Sequence, residues 1–322
     1  MKKGEKKVSI LLCILIFFVS FIGGILSKQI QPKELRELNK YDESKIGDIH
    51  KDIAYGDGEA NKFDLYLPKD NTKETYGLVV YLHAGGFTTG DKQDDVEMLK
   101  WLCAKGYVAV GINYTLRTDE NKKSVYTQSM EIKSAIPVVI EETKKLGYNI
   151  DKMAMSGGSA GGCLALLYAY RDASDAPVPV KMVFEGVGPS SFYPSDWTNY
   201  GFDQDTDEAR KGAAVLFGVM AGKEINVDML GTEAYDEAVK DISALAWIDE
   251  NTVPTLLAYG KYDKVQPYLG AVRLDKKLTE YNVPHDFIVF EHSGHGLQND
   301  NKQSIEYMKK IIEYLDKYMP VK

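Results

Sequence analysis

The chain has 322 residues, 44% of them hydrophobic and 27% charged, which is enough apolar material for one large α/β domain or two ordinary ones and excludes a disordered chain. Its formal net charge is −8, and because the first 28 residues hold five lysines and one glutamate, the remainder is more acidic still. A surface of that sign repels phosphate backbones and anionic lipid headgroups, so nucleic acid is a poor partner.

Lys2, Lys3, Lys6 and Lys7 precede VSILLCILIFFVSFIGGIL, an uncharged run from Val8 to Leu26. At about 1.5 Å per residue it nearly spans a hydrocarbon layer of roughly 30 Å. Residues 1–28 therefore read as a secretory signal or, by preference, an uncleaved membrane anchor, with the lysines inside and everything after Lys28 extracytoplasmic. Contact with the membrane is expected through this helix only. Residues 29–48 (QIQPKELRELNKYDESKIGD) carry too few apolar side chains for a packed helix and predict a polar tether. Residues 49–322 then form one α/β domain.

Within it, FDLYL (63–67) alternates, whereas GLVVYLH (77–83), YVAVGIN (107–113), KMAMS (152–156), VKMVFEG (180–186), PTLLAYG (254–260) and HDFIVF (285–290) are mostly continuous apolar runs. Continuous runs fit strands covered on both faces. Between them lie the helical patterns DDVEMLKWLCAKG, MEIKSAIPVVIEETKKLG, AGGCLALLYAYRD, LGAVRLDKKLTEYN and IEYMKKIIEYLDKYM. The alternation predicts a mostly parallel sheet flanked by helices. Pro137 predicts a kink or a late start in the second helix. The segment from about 189 to 249 breaks the rhythm with aromatics and turn formers, and reads as a lid-like insertion forming a pocket wall. Cys103 and Cys163 sit in apolar helical contexts without metal or redox spacing, which predicts two buried thiols and no disulfide.

Gly157-Gly158-Ser159-Ala160-Gly161 follows a strand and opens a helix, satisfying G-x-S-x-G. Such a turn lifts the serine hydroxyl clear of the backbone, and the residues two before and two after it approach so closely that both must be glycine. A dinucleotide fingerprint fails because Ser159 stands where its second glycine would fall, and a phosphate loop fails because Gly161 is followed by Gly162 and Cys163. An incidental serine in a tight turn is the plain alternative. An acyl-transfer serine also needs oxyanion donors, a base and an acid to orient the base. HAGGF (83–87) ends a strand, and with the elbow it offers the backbone N–H groups of Gly85, Gly86 and Ala160 as donors, Gly85 being the weakest of the three. Of five histidines, His295, between Gly294 and Gly296 after the last strand, is preferred over His292 as the base. Asp263 lies just past the strand TLLAYG, and the order Ser159, Asp263, His295 is that of an α/β-hydrolase triad.

HAGGFTTGDK, NYTLR, MSGGSAGG, GKYDKVQP and HSGHG together resemble the landmarks of the α/β-hydrolase esterase families with an HGGG-type turn, both the hormone-sensitive-lipase-like group and, in the GGSAGG wording, bacterial feruloyl and acetylxylan esterases. The resemblance runs from about Asp52 to the final helix. It implies an α/β-hydrolase fold, cofactor-free ester hydrolysis without a metal, and Ser159, Asp263 and His295 as triad. Ala84 replaces the first glycine of the turn, Gln266 replaces the usual valine before the proline that follows the acid, and the insertion matches no family motif. An acidic outer-surface enzyme suits a neutral sugar ester or a small acyl compound better than membrane lipid. The rivals are an amidase or peptidase with the same machinery and a catalytically silent surface-binding homologue.

Overall fold

The computed structural model describes residues 31–321, so the expected N-terminal signal or anchor lies outside the described residues. Among the described residues no helix is long and apolar enough to cross a membrane. The elements run α1 (Lys33–Asn39), β1 (Ile46–Ala54), β2 (Lys62–Pro68), β3 (Tyr76–Leu82), α2 (Val96–Ala104), β4 (Val108–Ile112), α3 (Val125–Lys145), β5 (Ile150–Gly158), α4 (Ala160–Leu167), β6 (Val180–Gly186), α5 (Asp207–Ala221), α6 (Glu233–Val239), β7 (Thr255–Gly260), α7 (Tyr268–Glu280), β8 (His285–Phe290) and α8 (Asn301–Tyr318).

Eight strands form one sheet in the order β1-β2-β4-β3-β5-β6-β7-β8. The pairs β1–β2 and β2–β4 are antiparallel and the remaining five are parallel. Helices cover both faces, which is why every residue of β4 and of β7 is buried and why their sequences read as unbroken apolar runs. The larger apolar layer packs α3, α4, α5 and α7 on one face, and the smaller one packs α2 and α8 on the other.

Chain order reverses between β3 and β5, whose register sets Leu82 opposite Gly157. Next along the sheet, Gly158 faces Gly186, and Gly186 faces Ala258. The carboxyl ends therefore finish at one rim, and the crevice beside the reversal is where open α/β sheets place ligands.

One expectation is corrected, another is narrowed, and one strand is unforeseen. Residues 29–48 are no tether over their described part: α1 and a 3₁₀ turn at Glu43–Lys45 dock on the body. Leu35 is buried against the α2/α8 layer, the Leu38 carbonyl accepts the Trp101 indole N–H at 2.7 Å, and Glu34 pairs with Lys309. One buried leucine suffices for a helix of seven residues, and that is too little for periodicity to show. The second unforeseen element is β1, an edge strand with bulges whose side chains are mostly exposed. Of the two alternatives at Pro137, the late start is ruled out: α3 begins at Val125, from a Ser124 cap whose hydroxyl accepts the Thr127 N–H, and carries Pro137 in its interior.

The insertion departs from the βα rhythm as expected. It builds five 3₁₀ turns, α5 and α6 around an aromatic cluster of Phe192, Trp197, Phe217 and Tyr235. A bidentate pair fastens it to the body, Arg273 Nε and Nη2 each 2.6 Å from the buried Asp196 carboxylate. Both cysteines are buried free thiols, and burial pushes Cys103 up to about 12.

Docking of α1 predicts that Leu35→Ala lowers stability by about 2 kcal/mol, the low end for a buried leucine on a peripheral helix. Urea unfolding checks this, and an unchanged midpoint would restore the tether.

Candidate active site

Ser159 sits between β5 and α4 with φ 52° and ψ −118°, a conformation that side-chain-bearing residues rarely adopt and that costs on the order of 1–3 kcal/mol. The surrounding backbone imposes it. A Cβ on Gly157 would lie 2.5 Å from the Gly161 carbonyl carbon, and one on Gly161 would lie 1.9 Å from the Leu82 oxygen. Gly158 has open space instead, so the motif's requirement falls on the flanking pair. The Ser159 N–H donates to the Gly186 oxygen at 2.8 Å, and its carbonyl accepts the Cys163 N–H at 3.0 Å, closing the first turn of α4.

His295 and Asp263 meet this serine although they lie 136 and 104 positions further along the chain. His295 Nε2 is 2.8 Å from Ser159 Oγ, and His295 Nδ1 is 2.7 Å from Asp263 Oδ2. An ionised carboxylate only accepts, so Nδ1 carries the proton and Nε2 is left to accept from the serine hydroxyl. Asp263 is buried, and its other oxygen accepts the N–H groups of Val265 and Gln266 at 2.8 and 2.9 Å. Two backbone contacts thus fix the carboxylate that orients the imidazole.

The alternative base, His292, points elsewhere. Its ring lies 2.7 Å from Asp300 and is largely solvent-exposed. Asp300 also accepts the Ser293 hydroxyl at 2.5 Å and the His292 N–H at 2.9 Å. Burial works against the Asp300 charge, yet these bonds hold its carboxyl below the usual range. Asp300 so pins the loop that carries His295. A loop aspartate gives no sequence sign of that task.

The N–H groups of Gly85, Gly86 and Ala160 find no acceptor among the described residues. Gly86 and Ala160 border a cavity of about 340 Å³ together with Ser159 and His295, while Gly85 stands one residue behind. Gly85 has φ 124° and a Cβ there would meet the Thr89 oxygen at 2.0 Å; Gly86 has φ 59° in open space. Ala84, where the family has glycine, is tolerated because it is exposed and contributes its carbonyl, which accepts from His83 Nδ1 at 2.7 Å. His83 is buried, stacks on Tyr114 with ring centroids 4.3 Å apart, and is pushed down by burial, so it serves as a neutral brace for the turn.

The insertion walls this cavity with Trp197, Tyr200, Leu216, Val219 and Met220. It also reaches the acid loop, with Asn199 Nδ2 donating to the Asp263 carbonyl at 2.6 Å and the Tyr200 hydroxyl to the Val265 carbonyl at 3.1 Å. Beneath the elbow lies Glu185, fully buried at the end of β6, with Oε2 accepting the Gly188 N–H at 2.8 Å and lying 2.7 Å from where a Gly162 Cβ would be. Burial pushes its carboxyl up to about 8, opposed by hydrogen bonds with Tyr259 and Gly188. In sequence it is one letter of a strand.

An eight-stranded, mostly parallel sheet with a strand–serine–helix elbow, a Ser-His-Asp relay and two glycine amides at its rim defines an α/β-hydrolase of the esterase and lipase kind. The BD-FAE family model matches residues 63–278, more than half of the chain, and the chain belongs to that family. Among curated proteins it is similar to esterase LipC of Mycobacterium tuberculosis, 24% identical over 76% of this chain and 59% of that one. It is also similar to the probable carboxylic ester hydrolase LipM of the same organism, 30% over 67% and 48%, and to kynurenine formamidase of Salmo salar, 29% over 39% and 40%. The matched regions thus span less than two thirds of each of these relatives' length. Among solved structures the fold is shared with esterase B from Lactobacillus rhamnosis, at 17% identity, TM-score 0.65, 98% of this chain and 96% of that one. A truncated carbohydrate esterase from gut microbiota gives 17% identity, TM-score 0.65, 87% and 99% coverage.

Glu185 generates a pH prediction. Its folded-state carboxyl titrates near 8, whereas a free glutamate titrates near 4.3, so between those values the unfolded chain releases a proton that the folded chain keeps. Its burial therefore costs stability increasingly from about pH 4.3 up to about 8 and by a constant amount above. Glu185→Gln, keeping the acceptor for Gly188, should raise the melting temperature at pH 7–8 and flatten its decline from pH 5 to 8. Parallel melting curves for the two proteins would contradict the buried-acid reading.

Proposed function

We propose that the protein is a serine carboxylic-ester hydrolase acting through an acyl-enzyme on small or carbohydrate-linked acyl esters. The observation that carries this reading is the unbroken chain Ser159 Oγ, His295 Nε2, His295 Nδ1, Asp263 Oδ2, with contacts of 2.8 and 2.7 Å, beside amides that find no acceptor among the described residues.

Ser159 Oγ attacks the ester carbonyl carbon while its proton passes to His295 Nε2. Negative charge builds on the former carbonyl oxygen, and the N–H groups of Gly86 and Ala160, with Gly85 behind them, receive it. Asp263 keeps the imidazolium oriented by accepting from Nδ1. When the tetrahedral adduct collapses, the ester C–O bond breaks and His295 returns the proton to the departing alcohol. Water then repeats the attack on the acyl-serine and releases the acid. The glycines at 157 and 161 act earlier, by forcing the serine out of the helix so that Oγ meets the imidazole.

The size of the cavity supports small substrates. The acyl-carbohydrate part rests on the set of motifs between residues 83 and 296, which resembles that of feruloyl and acetylxylan esterases, and on the acidic surface. Its apolar N-terminal run supports an extracytoplasmic position, by anchor or by secretion. A second reading, hydrolysis of a small amide, is favoured by the match to a protein named kynurenine formamidase. Both use the same serine.

A fluorophosphonate should label the native protein stoichiometrically at neutral pH and fail to label Ser159→Ala. That variant should lose short-chain nitrophenyl ester hydrolysis by roughly 10⁶-fold, the scale for a triad serine. Absence of labelling of the native protein would favour the silent homologue, and a panel of matched esters and amides separates the two hydrolytic readings.

A further inference from the structure

The wall of the cavity contains one charge that neither the relay nor a carboxylate of the described residues engages. Arg117 lies on the loop between β4 and α3, fastened at both ends of the residue: its backbone N–H donates to the Phe87 carbonyl at 2.9 Å, and Nη1 donates to the Lys123 carbonyl at 2.7 Å. The first bond ties it to the turn that carries Gly85 and Gly86. A guanidinium has five N–H donors, and only this one finds an acceptor among the described residues. No carboxylate of those residues lies within 4.0 Å of it.

Its neighbour shows what an ordinary arrangement looks like. Lys123 borders the same cavity, but its ammonium is 2.7 Å from Glu131, so its charge is already compensated. Asp and Glu outnumber Lys and Arg by 47 to 39, which makes an uncompensated arginine in a largely apolar cleft unlike its surroundings. Leu216, Val219 and Met220 line the same cavity, and their apolar side chains offer the charge nothing. A half-buried guanidinium held rigid by its own loop is organised to receive a planar anion through two parallel hydrogen bonds.

We propose that Arg117 is a specificity-determining residue, and that the substrate is an ester with a carboxylate on the part lying against the β4–α3 loop, joined to an apolar body. This deepens the ester-hydrolase reading and rests on it for the reaction. It also revises the neutral substrate that net charge alone suggests, because the cavity wall locally reverses the sign of the surface.

Binding without turnover tests the site apart from the chemistry. The probes are 4-phenylbutyrate and its neutral amide, titrated calorimetrically into the native protein and into Arg117→Gln and Arg117→Lys. The acid should bind roughly 10- to 100-fold more tightly than the amide, as expected for one charge-assisted contact. The ratio should fall towards one in Arg117→Gln and be partly restored in Arg117→Lys, whose recovery excludes a merely misfolded loop. Equal binding of the two probes by the native protein, or a ratio that survives in Arg117→Gln, overturns the proposal. Kinetics then compares 4-nitrophenyl hemiglutarate with 4-nitrophenyl valerate, and 4-acetoxybenzoate with phenyl acetate, placing the charge on the acyl and alcohol sides in turn. A higher kcat/KM for an anionic ester on one side, reduced relative to its neutral partner in Arg117→Gln, supports the assignment; no preference on either side overturns it. Hydrolysis of none of the four esters with the binding ratio intact would sink the ester-hydrolase reading alone.

Discussion

A backbone approach that no side chain could survive governs this molecule. The carbonyl of Leu82, ending β3, presses so near Gly161 that even a methyl group there would overlap it, and Gly157 meets Gly161 almost as closely. With both places bare, β5 turns directly into α4 and Ser159 is held at a positive φ. Packing between adjacent parallel strands thus fixes the attitude of a hydroxyl. The energy comes from the buried sheet, whose layers are large enough to hold one residue in a conformation it would not choose.

The other members of the site depend on the same sheet by different means. Asp263 is caged by two backbone N–H groups just after β7, His295 rides a loop after β8 that Asp300 pins, and the glycine amides hang on a turn braced by His83. Each brace is local, and common strand register brings the braced loops to one edge. The buried acid below the elbow fills the space left by Gly162 and accepts the Gly188 N–H, which ties β6 to the same turn.

Legibility in the sequence followed burial. β3 to β7 announce themselves because two covered faces demand apolar residues at successive positions, and the glycines around Ser159 because their conformations admit little else. His295 and Asp263 were readable from their places past strand ends. By contrast α1 depends on Leu35 and on a main-chain carbonyl, β1 is an exposed edge, and neither leaves a periodic trace. Asp300, Glu185 and Asn199 were invisible for another reason: each matters through a partner distant in the chain or through a backbone group, and residue type alone names no partner. The insertion showed as a break in rhythm, while its bidentate anchor between Asp196 and Arg273 required coordinates.

The hydrogen bonds from Asn199 and Tyr200 to the carbonyls of Asp263 and Val265 make the cap and the acid loop a single mechanical piece. Evolution, or an engineer, cannot therefore exchange this roof as an interchangeable module. A transplanted segment would have to carry equivalent donors at the same two points, or the carboxylate beneath it would lose part of its footing along with the old selectivity.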